Sequence, residues 1–169
     1  MKVLYIGKVV YGNTCYSRYR GYVRLGFNVD FINVEDFRKS NSLFIRLIDN
    51  KKRYDLKNLN KNIINFSNNK YDIIHFDTPF YIFEETLQLI KNSTLSKIVF
   101  HYTDDIEVLK HGLLLSKNSY LLTDYIFTCN KFSIEYFKSI GVNHAFHNEV
   151  GYDDENIVVN KTNKFNNGS

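Results

Sequence analysis

Six short apolar runs, each closed by glycine or by polar residues, limit what this chain can fold into. The first, at 2–6, reads Lys-Val-Leu-Tyr-Ile and stops at Gly7. Runs of this length bounded by turn residues read as buried strands. The others fall at 27–33, 71–76, 97–102, 125–129 and 142–146. Helical periodicity fills most of the gaps. The spacing predicts a helix at about 15–25, with Tyr19, Tyr22, Val23 and Leu25 on its apolar face and Gly26 as its stop. Further helices are predicted at 83–91, with Leu87 and Ile90 inward, at 109–122, with a break near 116–118, and at 132–140, ended by Gly141. Between 35 and 69 the pattern is weaker. A short helix is expected at 42–48, with Phe44, Leu47 and Ile48 on one side. A second would carry Leu56, Leu59, Ile63, Ile64 and Phe66 on an Asn- and Lys-rich background of poor helix propensity.

Strands that are apolar throughout and alternate with helices imply a parallel sheet covered on both faces. Right-handed crossovers then favour a doubly wound arrangement. The expected fold is α/β and Rossmann-like: a mainly parallel sheet flanked by helices in three layers. It should occupy residues 1–155, with 156–169 a polar tail or linker.

Composition narrows the function. At 169 residues the chain fits one domain, and 44% hydrophobic with 16% aromatic residues excludes a disordered chain. The 22 basic and 18 acidic residues are interspersed and leave only +4, which argues against a nucleic-acid partner. Cys15 and Cys129 match no metal-ligand spacing and read as free thiols in a reducing cytosol. His144 and His147 fall on opposite faces of a strand, so no metal site is expected. No stretch approaches the ~20 apolar residues of a membrane span, so the expectation is a cytoplasmic protein without a transmembrane segment.

In an open parallel sheet, ligands bind beyond the carboxyl ends of the strands. Four polar segments should meet there: Gly7 to Thr14, Asp77 to Phe80, His101 to Asp105, and Asn130. The loop Gly7-x4-Gly12 continues with Asn13-Thr14 and so lacks the Gly-Lys-Ser/Thr ending of a P-loop. It also lacks Gly-x-Gly-x-x-Gly, and no cofactor is expected. Its backbone amides can still approach a phosphate or sugar at a helix N-terminus. Arg18 and Arg20 lie in the next helix, and either can reach an anion near that loop or stay solvated at the surface. Asp104 and His101 are the candidate catalytic residues. A carboxylate at Asp104 or Asp105 can act as base or hold a hydroxyl, or either can simply cap the next helix. Gly7, Gly12, Asn13, Thr14, Arg18, Asp77, Thr78, Asp105 and Asn130 are the candidate substrate-binding residues. Asp77 can join Asp104 in an acidic cluster or close the turn with Thr78 and Pro79. Tyr11, Tyr16, Phe80, Tyr81 and Tyr102 are expected near the same edge, where aromatic rings suit stacking on sugars or bases.

These residues resemble a known family. Met-Lys-Val-Leu-Tyr-Ile-Gly, the loop to Thr14, and the helix ending Arg24-Leu25-Gly26-Phe27-Asn28-Val29 look like the opening of GT-B-fold glycosyltransferases, with Phe27 where the family often has His. Tyr71-Asp72-Ile73-Ile74-His75-Phe76-Asp77 resembles their Asp-led hydrophobic strand, as does Asp124-Tyr125-Ile126-Phe127-Thr128. Lys97 to Asp105 is similar to their strand ending near a sugar-contacting His, a place taken here by Asp104. Gly151-Tyr152-Asp153 resembles the end of their Asn-Gly-Val-Asp exit.

The resemblance covers roughly residues 1–155 in order. It implies the acceptor-side, N-terminal domain of a two-domain hexosyltransferase-type enzyme. The implied partners are a nucleotide-sugar donor, a glycan or other acceptor, and a C-terminal donor-binding domain that the sequence does not include. Activity from this half alone is expected to be low. The alternative is a non-enzymatic flavodoxin- or receiver-like ligand-binding or regulatory module. A receiver needs an acidic pair after its first strand, and Gly7-Lys8 stands there instead.

Overall fold

The computed structural model describes residues 1–38, 58–79, 81–106, 115–149 and 151. The predicted helix at 42–48 and the tail at 156–169 lie outside them. The elements run β1 (Lys2–Gly7), α1 (Thr14–Arg24), β2 (Asn28–Asn33), α2 (Glu35–Arg38), α3 (Leu59–Ser67), β3 (Ile73–Asp77), α4 (Glu84–Ser93), β4 (Lys97–Tyr102), α5 (Lys117–Leu121), β5 (Tyr125–Thr128), α6 (Lys131–Ser139) and β6 (Ala145–His147). All six strands join one parallel sheet in the order β2-β1-β3-β4-β5-β6. The chain steps outward from β1 to β2, then returns to the other side of β1 for β3. The strand order therefore reverses between β1 and β3, and this switch point opens a crevice at their carboxyl ends.

The two faces of the sheet differ in chemistry. One carries Leu4, Ile6, Ile74, Phe76, Ile98, Phe100, Tyr102 and Ile126, all buried in the hydrophobic core with Ile63, Leu87, Ile90, Tyr120 and Phe137 from the helices. The other carries the alternate residues Tyr5, His75, Asp77 and His101. Helix α1 covers this second face, with Tyr19 and Tyr22 edge-on to Tyr5 at 6.0 and 6.2 Å between ring centres.

That chemistry corrects the predicted face of α1. Val23 and Leu25 are 48% and 71% exposed. The contacts to the sheet come from Cys15, Arg18, Tyr19 and Tyr22, a regular helical stripe that includes an arginine because the surface beneath it is polar. Towards the β6 edge of the same face, Tyr125 and Phe146 stand 43% and 46% exposed beside Phe127.

Local signals account for the helix boundaries. Asn13 caps α1 by accepting from Cys15 N at 2.9 Å, and Gly26 ends it at φ +77°, where a side chain would be strained. The break predicted near 116–118 is the start of α5, where the Ser116 hydroxyl accepts from Ser119 N. The last strand starts at Ala145, with Val142 buried ahead of it. Asp72 and Asp124, which begin two hydrophobic strands, sit at the amino edge. Asp72 accepts from Lys2 N, and Asp124 accepts from Ile98 N and from both Lys91 and Lys97. Among the described residues no helix is long and apolar enough to cross a membrane.

Asn60, read in the sequence as polar background, is a buried tie. Its side chain donates to Tyr81 O at 3.0 Å and accepts from Phe83 N and Thr86 Oγ1 at 2.9 Å each. Asn60→Ala strips partners from buried groups and is expected to lower the unfolding free energy by about 1–3 kcal/mol, measured by urea denaturation.

Candidate functional site

The crevice at the switch point is tight. A Cβ added to Gly7 would lie 3.0 Å from Asp77 Cβ and 3.3 Å from Tyr5 Cε1, so any side chain here would have to push its neighbours aside. The following loop folds on itself, with Val9 N donating to Gly7 O and Asn13 N to Val10 O, both at 3.0 Å. Gly12 sits at φ +80°.

Asp77 is the centre of the site. Arg18 grips its carboxylate with two bonds, Nε to Oδ2 at 2.6 Å and Nη2 to Oδ1 at 2.8 Å. This fork is the strong geometry for a guanidinium and a carboxylate. The Tyr5 hydroxyl also donates to Asp77, and the Cys15 carbonyl lies 2.9 Å from that hydroxyl. Thr78 Oγ1 donates to Asp77 Oδ1 at 3.3 Å, while Thr78 N donates to His101 O at 2.8 Å. Thr78 adopts φ +53°, a strained conformation for a β-branched residue and one that concentrates at functional sites.

Two histidines complete the buried cluster. His75 Nδ1 lies 2.8 Å from the Tyr22 hydroxyl, and its ring stacks on His101 at 6.2 Å. His101 Nδ1 faces Asp77 Oδ1 at 3.9 Å. Burial alone would raise the Asp77 carboxyl, but the Arg18 guanidinium and its hydrogen bonds hold it below the ordinary value. Burial also pushes His75 down to about 3, and burial with the nearby Arg18 charge pushes His101 down to about 4. Both imidazoles are therefore neutral near pH 7. Burial raises the Cys15 thiol to about 11, so it is no nucleophile; both cysteines are free.

The predicted site residues divide into three groups. Gly7, Arg18, Asp77, Thr78 and His101 come together directly. Asn13 and Asn130 lie at the same edge, but each uses its side-chain carbonyl to cap a helix, Asn130 accepting from Phe132 N at 2.9 Å. Gly12, Thr14 and Asp104 are exposed around the rim, and Asp105 is half-exposed. Asp104 lies on the bend that follows β4, at the carboxyl edge of the sheet. Asp77 meets a guanidinium, so the acidic cluster with Asp104 does not form. Tyr11 and Tyr16 pair at the rim at 5.7 Å, but Tyr102 is buried on the opposite face against Phe100 and Phe137. Phe80 lies outside the described residues. No group of three or more metal-ligating side chains is present among the described residues.

Sequence reasoning missed Tyr5, Tyr22 and His75, hidden inside apolar runs or on the helix. Their signal was the alternation: Tyr5 and Gly7 on β1, and His75 and Asp77 on β3, share one face at a spacing of two.

No protein-family model and no curated protein matches the chain. Among the solved structures that share its fold are two glucosyltransferase complexes. One is an alpha-glucosyltransferase in complex with UDP and a 13-mer DNA containing an HMU base (TM-score 0.59, 14% identity). The other is an alpha-glucosyltransferase in complex with UDP-glucose and DNA containing an abasic site (TM-score 0.56, 14% identity). Each likeness covers 90% of this chain and 43% of the other, so the chain spans less than half the length of either protein. At this identity the likeness defines a class of fold. It is a Rossmann-like α/β fold built on a six-stranded parallel sheet. Both neighbours hold DNA, so the absence of a nucleic-acid partner, expected from the low net charge, is not a property of this fold.

Removing Arg18 leaves a fully buried carboxylate short of its counter-charge. Arg18→Ala is expected to cost about 3–5 kcal/mol in urea unfolding, and Asp77→Ala less, because the side chain of Arg18 is 21% exposed and can turn to water.

Acid should also destabilise the fold. An unfolded histidine takes up a proton near 6.5, while the folded His101 waits until about 4 and His75 until about 3. Between those values the unfolded chain binds more protons, so stability is complete above pH 6.5 and is lost as pH falls towards 4. The depressed Asp77 carboxyl adds a loss of the same sign below about 3.8. The urea midpoint should fall between pH 7.5 and pH 5, and the fall should shrink in His101→Phe.

Proposed function

We propose that this chain is the acceptor-side, N-terminal half of a nucleotide-sugar-dependent glycosyltransferase of hexosyltransferase type, active only with a donor-binding half. The observation that carries the reading is the strained, close-packed crevice at the β1–β3 switch point, in a fold shared with two UDP-bound or UDP-glucose-bound glucosyltransferases. The match to 43% of those chains fits one half of a two-domain enzyme.

In the transfer, the bond from the anomeric carbon to the diphosphate oxygen breaks. A bond from that carbon to the acceptor oxygen forms, and the acceptor hydroxyl gives up its proton. Asp104, exposed at the rim, is the carboxylate suited to orient that hydroxyl and take the proton. His101, neutral and buried, is suited to accept a hydrogen bond from a ligand hydroxyl. The backbone amides of Gly12 and Thr14 offer donors to the departing diphosphate, while that of Asn13 is held by Val10 O. Asp105, Thr78 and Asn130 flank the acceptor. Arg18 is already matched to Asp77, so the pair forms a neutralised floor that leaves little free positive charge for phosphate. The Cys15 and Cys129 thiols suit a reducing cytoplasm.

Titration of the 15N-labelled chain with maltotriose, UDP-glucose and a DNA duplex in separate arms tests this reading. An acceptor-type ligand should shift amides of residues 7–14, 77–78, 101–105 and 130. UDP-glucose mixed with the chain alone should show no turnover. Turnover by this chain alone, or ligand shifts confined to other surfaces, would overturn the assignment.

A further inference from the structure

Two buried polar atoms flank a single contact and have no hydrogen-bond partner among the described residues: Nδ1 of His101 and Oδ1 of Asn148. The contact joins Nδ2 of Asn148 to Nε2 of His101 at 3.3 Å. An amide nitrogen can only donate, so Nε2 must present its lone pair there. A neutral imidazole with a bare Nε2 carries its proton on Nδ1, and Nδ1 faces Asp77 Oδ1 at 3.9 Å.

The charge of Asp77 decides between the two self-consistent arrangements. With the amide as found, an N–H of His101 points towards an ionised carboxylate. With the amide turned over, Asn148 Oδ1 would accept from Nε2–H, and a bare Nδ1 lone pair would face the same carboxylate. The first arrangement is attractive and the second repulsive. Tautomer and amide orientation are thus one linked choice, made by the carboxylate that Arg18 keeps ionised. Asn148 is itself held in place, because its backbone N donates to Thr128 O on β5 at 3.0 Å.

We infer that Asn148 is a positioning residue that, with Asp77, fixes His101 as the Nδ1–H tautomer and so keeps Nε2 a neutral acceptor for a ligand hydroxyl. The ligand class rests on the proposed function; the tautomer does not. A hydroxyl arriving at Nε2 donates a hydrogen bond to that lone pair, and its oxygen accepts the N–H that Asn148 releases. One hydrogen bond is exchanged for two, so the pair reads a hydroxyl as donor and acceptor at once. A ligand group that only accepts, such as a carboxylate, finds no donor at Nε2.

Long-range 1H–15N spectra of the full chain with labelled histidine, at pH 7, read the tautomer directly. In the wild type, His101 should show a protonated Nδ1 and a bare Nε2. Asn148→Asp places an acceptor opposite Nε2, so the variant should carry a proton on Nε2 and titrate about one pH unit higher or more. Asn148→Ala leaves Asp77 to select the tautomer, so Nδ1 should stay protonated while Nε2 loses its amide donor. A wild-type His101 protonated at Nε2, or an Asp variant whose Nε2 stays bare, overturns the assignment, and the wild-type spectrum decides even if a variant fails to fold. Maltotriose should shift the Asn148 side-chain amide while His101 stays protonated at Nδ1. If the tautomer is as assigned and maltotriose moves neither residue, the hydroxyl-reading role fails while the positioning role stands.

Discussion

The forked ion pair between Arg18 and Asp77 is the constraint on which the polar half of this domain depends. Asp77 ends β3 with its side chain fully buried, and a lone carboxylate there would be intolerable. Arg18 reaches it only because α1 lies over the second face of the sheet with its inward stripe in register. Asn13 sets that register by fixing where the helix begins. Tyr5, Thr78 and the two histidines then arrange themselves around a charge already neutralised. The crevice is thus specified by one electrostatic match, and the apolar face beneath needs only shape.

This division of labour explains what could be read from the sequence. Each strand was legible because a parallel strand is apolar on both sides, and runs such as Lys97–Tyr102 announce themselves. The helix stops were legible at Gly26 and Gly141, both at positive φ. The rim of the site was legible too, since Gly12, Thr78 and Asp104 follow different strands and a parallel sheet sends those loops to one edge. The interior of the site was legible only in part, through Arg18, Asp77 and His101. Tyr5 and His75 pass as members of hydrophobic runs, and Tyr22 passes as part of the apolar face of a helix. Only the pairing of β1 with β3 and β3 with β4 turns a spacing of two into a polar face. Asn148 was invisible for a similar reason: its partner lies 47 residues earlier.

The helices show the converse. Propensity misjudged the Asn-rich α3, which holds because Leu59 and Ile63 pack into the core and Asn60 binds the start of α4. Tertiary contacts there override a weak local preference. The polar and apolar faces therefore follow different rules within one sheet, one built from few specific pairings and the other from many interchangeable contacts.

The three aromatic rings at the β6 border have a practical side. Tyr125, Phe127 and Phe146 form a greasy strip beside the last, three-residue strand, whose outer backbone edge no described strand pairs. Such a margin is where crowded copies of a protein first cling to one another. A lysine exchanged for Tyr125 or Phe146, far from the β1–β3 cleft, is the natural remedy for keeping concentrated samples dispersed.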